Sequence, residues 1–109
     1  MNLDILYKNI GTIDENLDCL YPVYLLYPEI PEYELVHDEK YFIPLIKKHF
    51  VETEELKPGD LLVFYVFTDW HFGIYAGNNG FFHCCKTHKL RLSRLSGYKK
   101  FLRGSYRLR

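Results

Sequence analysis

The chain has 109 residues, 48% of them hydrophobic and 17% aromatic, with 14 basic and 14 acidic side chains that cancel to a formal net charge of zero. That length suits one domain with one core, and so high an apolar content excludes an intrinsically disordered chain. No apolar run reaches the length of a membrane span and the first residues lack a basic-then-apolar signal pattern, so a protein made and kept in the cytoplasm is expected, or one that leaves without such a signal.

The zero total conceals a division. Residues 1–69 carry all 14 acidic side chains and five basic ones, a balance of −9, whereas residues 70–109 carry nine basic side chains and no acidic one. Within one domain the two halves are expected to face and neutralise each other. A basic face for an acidic partner is the alternative, but no nucleic-acid motif accompanies the charge, and nucleic acid is not expected as a partner. The three cysteines are Cys19, Cys84 and Cys85. An odd number without a secretion pattern argues against a disulfide framework.

In chain order, residues 1–10 suit a short helix that ends at Gly11. Residues 11–17 form a polar loop, and Asp18 is placed to cap a helix over Cys19–Tyr27 with Pro22 in its first turn. Cys19 then stands at a helix N-terminus, where unsatisfied N–H groups favour a thiolate, the plainer reading being a small buried residue. Residues 28–34 are an acidic, proline-punctuated connector. Residues 38–50 are helical, with Ile43, Ile46, Lys47 and Phe50 at helical spacing and Pro44 marking a kink or the true start. His37 and His49 read as surface residues on or near this helix. An acidic loop over 52–55 and a turn at Lys57-Pro58-Gly59-Asp60 follow.

Beyond the turn the pattern becomes that of strands, over 61–67, 71–77, 81–86, 89–95 and 101–108. Leu90-Arg91-Leu92-Ser93-Arg94-Leu95 alternates, apolar in and basic out. Helices first and antiparallel strands after make an α+β domain with one core.

Trp70 to Cys85 reads as a hairpin around Gly77-Asn78-Asn79-Gly80, with His71 on one arm and His83, twelve residues later, on the other. Two histidines among Ile, Tyr and Phe invite a chemical reading, against the plainer one of two partly buried, hydrogen-bonded rings. A two-residue turn would set them on opposite faces, and a three-residue loop or a bulge would restore one face with His83 opposite Tyr75. A zinc site of His83, Cys84, Cys85 and His88 lacks Cys-x-x-Cys spacing, and strand alternation scatters its ligands. Neither metal nor cofactor is expected.

The run Pro58-Gly59-Asp60-Leu61, an apolar strand, His71-Phe72-Gly73-Ile74-Tyr75, a Gly/Asn turn and an apolar strand with His83, together with Asp18-Cys19 upstream, resembles the NlpC-type cysteine peptidases. These are papain-related enzymes that cut peptidoglycan stem peptides. The resemblance spans residues 7 to 108 and implies a papain-like fold, N-terminal helices packed on a C-terminal antiparallel sheet. It implies Cys19 as nucleophile, His71 as acid/base, His83 as the residue that orients it, and the Tyr7 hydroxyl as part of the oxyanion hole. Where the family follows its nucleophile with Ser-Gly this chain has Leu20-Tyr21, larger side chains that would crowd the groove or reset the helix packing. Among family members the chain is most similar to those of long-tailed bacteriophage tail tips, with a basic, aromatic C-terminal stretch. That implies other tail-tip or hub proteins as partners, assembly in the host cytoplasm and carriage in the virion. A structural tail-tip subunit with reduced or lost catalysis is the alternative reading.

Overall fold

The computed structural model describes residues 3–30, 39–85 and 87–109. Residues 31–38, which include the end of the connector and His37, lie outside that set, as do Met1, Asn2 and Lys86. The first helix is shorter than expected: α1 covers Asp4–Tyr7, turns carry the chain on, and Gly11 takes a φ of +89° that a side chain would strain. Next comes a 3₁₀ turn, Asp18–Leu20, which runs into α2, Tyr21–Leu26. Pro22 sits in the first turn of α2, where a missing N–H costs little. α3 covers Glu39–His49 with Pro44 inside it. His49 is half-buried at its end rather than fully on the surface.

Six strands follow: β1 (Phe50–Glu52), β2 (Leu61–Val66), β3 (Asp69–Gly77), β4 (Gly80–Cys85), β5 (His88–Arg94) and β6 (Leu102–Leu108). They form one antiparallel sheet in the order β1-β6-β2-β3-β4-β5, so the fold is α+β. β1 falls where an acidic loop was expected to begin. It is three residues long, pairs only with β6 and is too short to show a period.

Alternation gives the sheet two faces. On one, Leu61, Val63, Phe72, Ile74, Phe82 and Cys84 join Leu6, Leu20, Val23, Tyr27, Phe42 and Ile46 in the larger core. On the other, Leu62, Phe64 and Phe81 pack with Leu95, Tyr98 and Phe101 in a smaller one. β5 departs from the expected alternation: Leu90 is buried, but Leu92 is 46% exposed, and Arg91 and Ser93 are half-buried.

The turn Lys57-Pro58-Gly59-Asp60 forms as expected, closed by Asp60 N–H on Lys57 O at 3.0 Å with Gly59 at φ +97°. Buried Asp60 accepts from Lys57 N–H at 2.8 Å and from Arg107 Nε and Nη2 at 2.9 and 2.8 Å. This bidentate pair ties the acidic half of the chain to the basic half.

Candidate active site

The β3–β4 hairpin turns through Asn78 and Asn79, both at positive φ (50° and 62°), so that Gly77 opposes Gly80. One residue, Ala76, is then extra on β3, and beyond this bulge Tyr75 opposes Phe81 and Ile74 opposes Phe82. The bulge restores His71 and His83 to the same face. It also corrects the expected pairing, since Tyr75 opposes Phe81 rather than His83. Gly73 is required on β3: a Cβ would lie 2.9 Å from the Phe81 ring and 3.0 Å from Phe82 O. With no side chain between them the two imidazoles meet, Nε2 of His71 3.0 Å from Nδ1 of His83, ring planes at 86°.

Past Ile74 and Phe82 the two strands part. β3 runs on against β2 as far as the Val66–Asp69 pair, and β4 runs on against β5. The 3₁₀ turn Asp18–Leu20 packs on both strands at this fork. Phe72 donates its N–H to the Cys19 sulfur, and the Cys84 thiol donates to Asp18 O at 3.2 Å. Cys19 therefore lies against the peptide that joins His71 to Phe72.

Asp18 does not cap a helix as expected. No side-chain cap bond forms, its φ is +52°, and its buried Oδ1 has no hydrogen-bond partner among the described residues. A non-glycine residue in the left-handed region stores strain, here in the residue that aims Cys19.

A pocket of about 320 Å³ opens over this arrangement, lined among others by Asp18, Cys19, His71, His83, Arg91 and Tyr98. Of the four residues singled out in the sequence, Cys19, His71 and His83 are thus brought together. Tyr7 is not among the lining residues: it is half-exposed and meets Phe82 edge-on, ring centroids 4.8 Å apart.

A scan against family models matches the NlpC/P60 family over residues 6–107. The chain belongs to the NlpC/P60 family. A comparison with curated proteins finds no match. NlpC/P60 domains are typically cysteine peptidases, and membership points to a function of the cell-wall peptidase type.

In this NlpC/P60 domain the departure Leu20-Tyr21 does not crowd the pocket. Leu20 is buried in the larger core, the Tyr21 hydroxyl lies 2.8 Å from Thr12 Oγ1, and neither lines the pocket.

Electrostatics correct a second expectation. Burial pushes the Cys19 thiol up to about 12, against the Phe72 N–H bond that lowers it, and nearby Asp18 and Cys84 push it further. Burial thus keeps Cys19 as a thiol rather than a thiolate. Burial likewise pushes Cys84 up to about 12. His83, 2% exposed, is held down to about 3 by burial, with His71 and Arg91 adding to the effect. Burial raises the Cys85 thiol, but the Thr87 hydroxyl and the N–H groups of Thr87 and His88 outweigh it and leave the thiol below its ordinary value.

Two residues of the site were not singled out in the sequence. Arg91 opposes His83 across β4 and β5, and its Nε lies 3.4 Å from His83 Nε2, within donating reach when that nitrogen is bare. Ser93, two residues on, has its Oγ 2.7 Å from the same nitrogen. The signal was the alternation of β5, which sets residues 91 and 93 on one face, but the register that aims them at His83 is not written in β5. Among the described residues no group of three His, Cys, Asp or Glu could hold a metal ion, and no helix is long and apolar enough to cross a membrane.

Proposed function

We propose that the chain is one papain-like domain, its N-terminal helices packed on the C-terminal sheet, that hydrolyses a stem peptide of peptidoglycan with Cys19 as nucleophile and His71 as acid/base. The observation that carries this reading is the His71–His83 pair, 3.0 Å apart and lining one pocket with Cys19. His71 spends Nε2 on His83, so Nδ1 is the nitrogen that takes the Cys19 proton as the sulfur attacks the scissile carbonyl. The Cys19 backbone N–H supports the developing oxyanion, with the Tyr7 hydroxyl as a second donor if that ring swings from Phe82. The proton then passes from His71 to the leaving amine, giving a thioester. Water, activated by His71, releases the acyl group and restores the thiol. Because the thiol rests neutral, proton transfer accompanies attack instead of preceding it.

The finer placement follows the resemblance: a phage tail-tip protein, assembled with other tail-tip or hub proteins in the host cytoplasm and carried by the virion to the wall. One observation favours a second reading, a tail-tip subunit of the same fold with reduced catalysis: Cys19 is only 3% exposed. Purified sacculi incubated with the protein separate the two. Stem fragments that appear with the wild type and vanish with Cys19→Ala support the hydrolase, and release that survives Cys19→Ala overturns Cys19 as nucleophile.

A further inference from the structure

His83 Nε2 has two neighbours that make opposite demands on it. Arg91 Nε, at 3.4 Å, is a donor only and requires a bare nitrogen. Ser93 Oγ, at 2.7 Å, can donate or accept, and it is the closer by 0.7 Å. Which demand prevails decides the state of the whole chain of rings. If Nε2 is bare, His83 carries its proton on Nδ1 and donates to His71 Nε2. His71 is then protonated on Nδ1 and cannot take a proton from Cys19. If Nε2 carries the proton, His83 Nδ1 is bare and accepts from His71 Nε2–H, which leaves His71 Nδ1 free of a proton.

We propose that Ser93 is a positioning residue of this site, its hydroxyl oxygen accepting from His83 Nε2–H and thereby fixing the tautomers of both histidines, while the Arg91 guanidinium confines the proton to His71. The proposal rests on the hydrolase reading for its kinetic consequence, but its structural content concerns His83 alone. During the reaction one proton leaves Cys19 Sγ, arrives at His71 Nδ1 and ends on the leaving amine. The His71 Nε2–H and His83 Nε2–H bonds break at no stage, so His83 needs the same tautomer throughout. A second transfer, from His71 Nε2 to His83 Nδ1, would make His83 a cation. His71 on β3 gives up its own charge in that transfer, but Arg91 and His88 on β5 both oppose the new one. Desolvation at 2% exposure opposes it further. The Ser93 hydroxyl adds no charge, which is why it can set the tautomer without inviting the proton.

Long-range nitrogen–proton correlation spectra of uniformly ¹⁵N-labelled protein near neutral pH read the tautomer without any substrate. His83 is expected to carry its proton on Nε2 in the wild type. In Ser93→Ala, with only Arg91 left at that nitrogen, a measurable share moves to Nδ1, and Ser93→Thr restores the wild-type spectrum. On a stem peptide, Ser93→Ala lowers kcat by about tenfold to a hundredfold with KM unchanged, and Ser93→Thr recovers most of it. Arg91→Gln leaves the tautomer in place but raises the pH at which His83 titrates. A wild-type His83 protonated on Nδ1, or a Ser93→Ala spectrum unchanged from wild type, overturns the proposal. If Ser93→Ala does not fold, Ser93→Cys, with its weaker acceptor in the same place, gives the same comparison. Absence of stem-peptide cleavage by the wild type counts against the hydrolase reading and leaves the spectra to decide the tautomer.

Discussion

At Cys85 the Thr87 hydroxyl stands 3.2 Å from the sulfur and His88 Nδ1 3.5 Å away, in a part of the pocket rim that water reaches. Cys19 and Cys84 are buried, and both thiols are pushed up to about 12. Alkylation by a small electrophile at pH 7.5 should therefore mark Cys85 first, reversing the order that a helix N-terminus at Cys19 leads one to expect. Peptide mapping checks it, and faster labelling of Cys19 than of Cys85 would count against the burial argument. His83 predicts a dependence on acid. Its pKa falls from 6.5 in the unfolded chain to about 3 in the folded one, so between those values the unfolded chain binds a proton that the folded chain refuses. That contribution to stability is intact above pH 6.5 and is lost progressively as pH falls toward 3. Urea midpoints at pH 7 and pH 4 should differ less in His83→Gln than in the wild type.

The hairpin is the element on which the site depends, and its decisive residue has no reactive group. Ala76 is the extra residue that shifts β3 by one against β4. Its deletion removes the bulge, puts His71 and His83 on opposite faces, and should abolish the ring-to-ring bond even in a folded protein. Gly73→Ala keeps the register but drives a methyl against the Phe81 ring and Phe82 O, at a cost of about 1–3 kcal/mol measurable by denaturant unfolding. The sequence showed both strands, the turn and the histidines, because alternation and Gly/Asn punctuation are local signals. It offered the bulge only as one way to reconcile them, because a bulge is a choice between near-equal turns that packing makes. Asp18 illustrates the limit from the other side. Its position before a helix suggested a cap, and the strain of fitting the chain into the fork put it at φ +52° instead. β1 was illegible because three residues that pair only with the last strand carry no period of their own.

Across the whole molecule, the last strand in sequence is not last in the sheet. β6 lies between β1 and β2, and Arg107 on it holds the buried carboxylate of Asp60. Asp60→Asn loses the charge from a pair that brings together halves of opposite net charge. It should cost about 2–3 kcal/mol, less than a fully buried pair because the Arg107 side chain is 38% exposed. The turn residues that carried the family resemblance thus serve stability, while the histidines that completed it line the pocket. A resemblance read from sequence cannot separate those two duties. The separation needs the distances: 2.8 Å from Asp60 to Arg107, 3.0 Å from His71 to His83.

At the fork, Phe72 gives its N–H to a sulfur where a continued β3–β4 ladder would have offered a carbonyl. Sulfur changes character with its chemistry in a way that a peptide oxygen does not. As a thiol it is a weak acceptor, as a thiolate a strong one, and as a thioester a poor one. The backbone amide of Phe72 consequently acts as a built-in gauge of the state of Cys19. Its proton resonance should move downfield when the sulfur ionises and upfield when the sulfur is acylated or alkylated, and its exchange with deuterated solvent should quicken in the second case. A backbone resonance of this kind allows turnover to be followed with an unlabelled substrate, from the neighbouring residue rather than from the nucleophile.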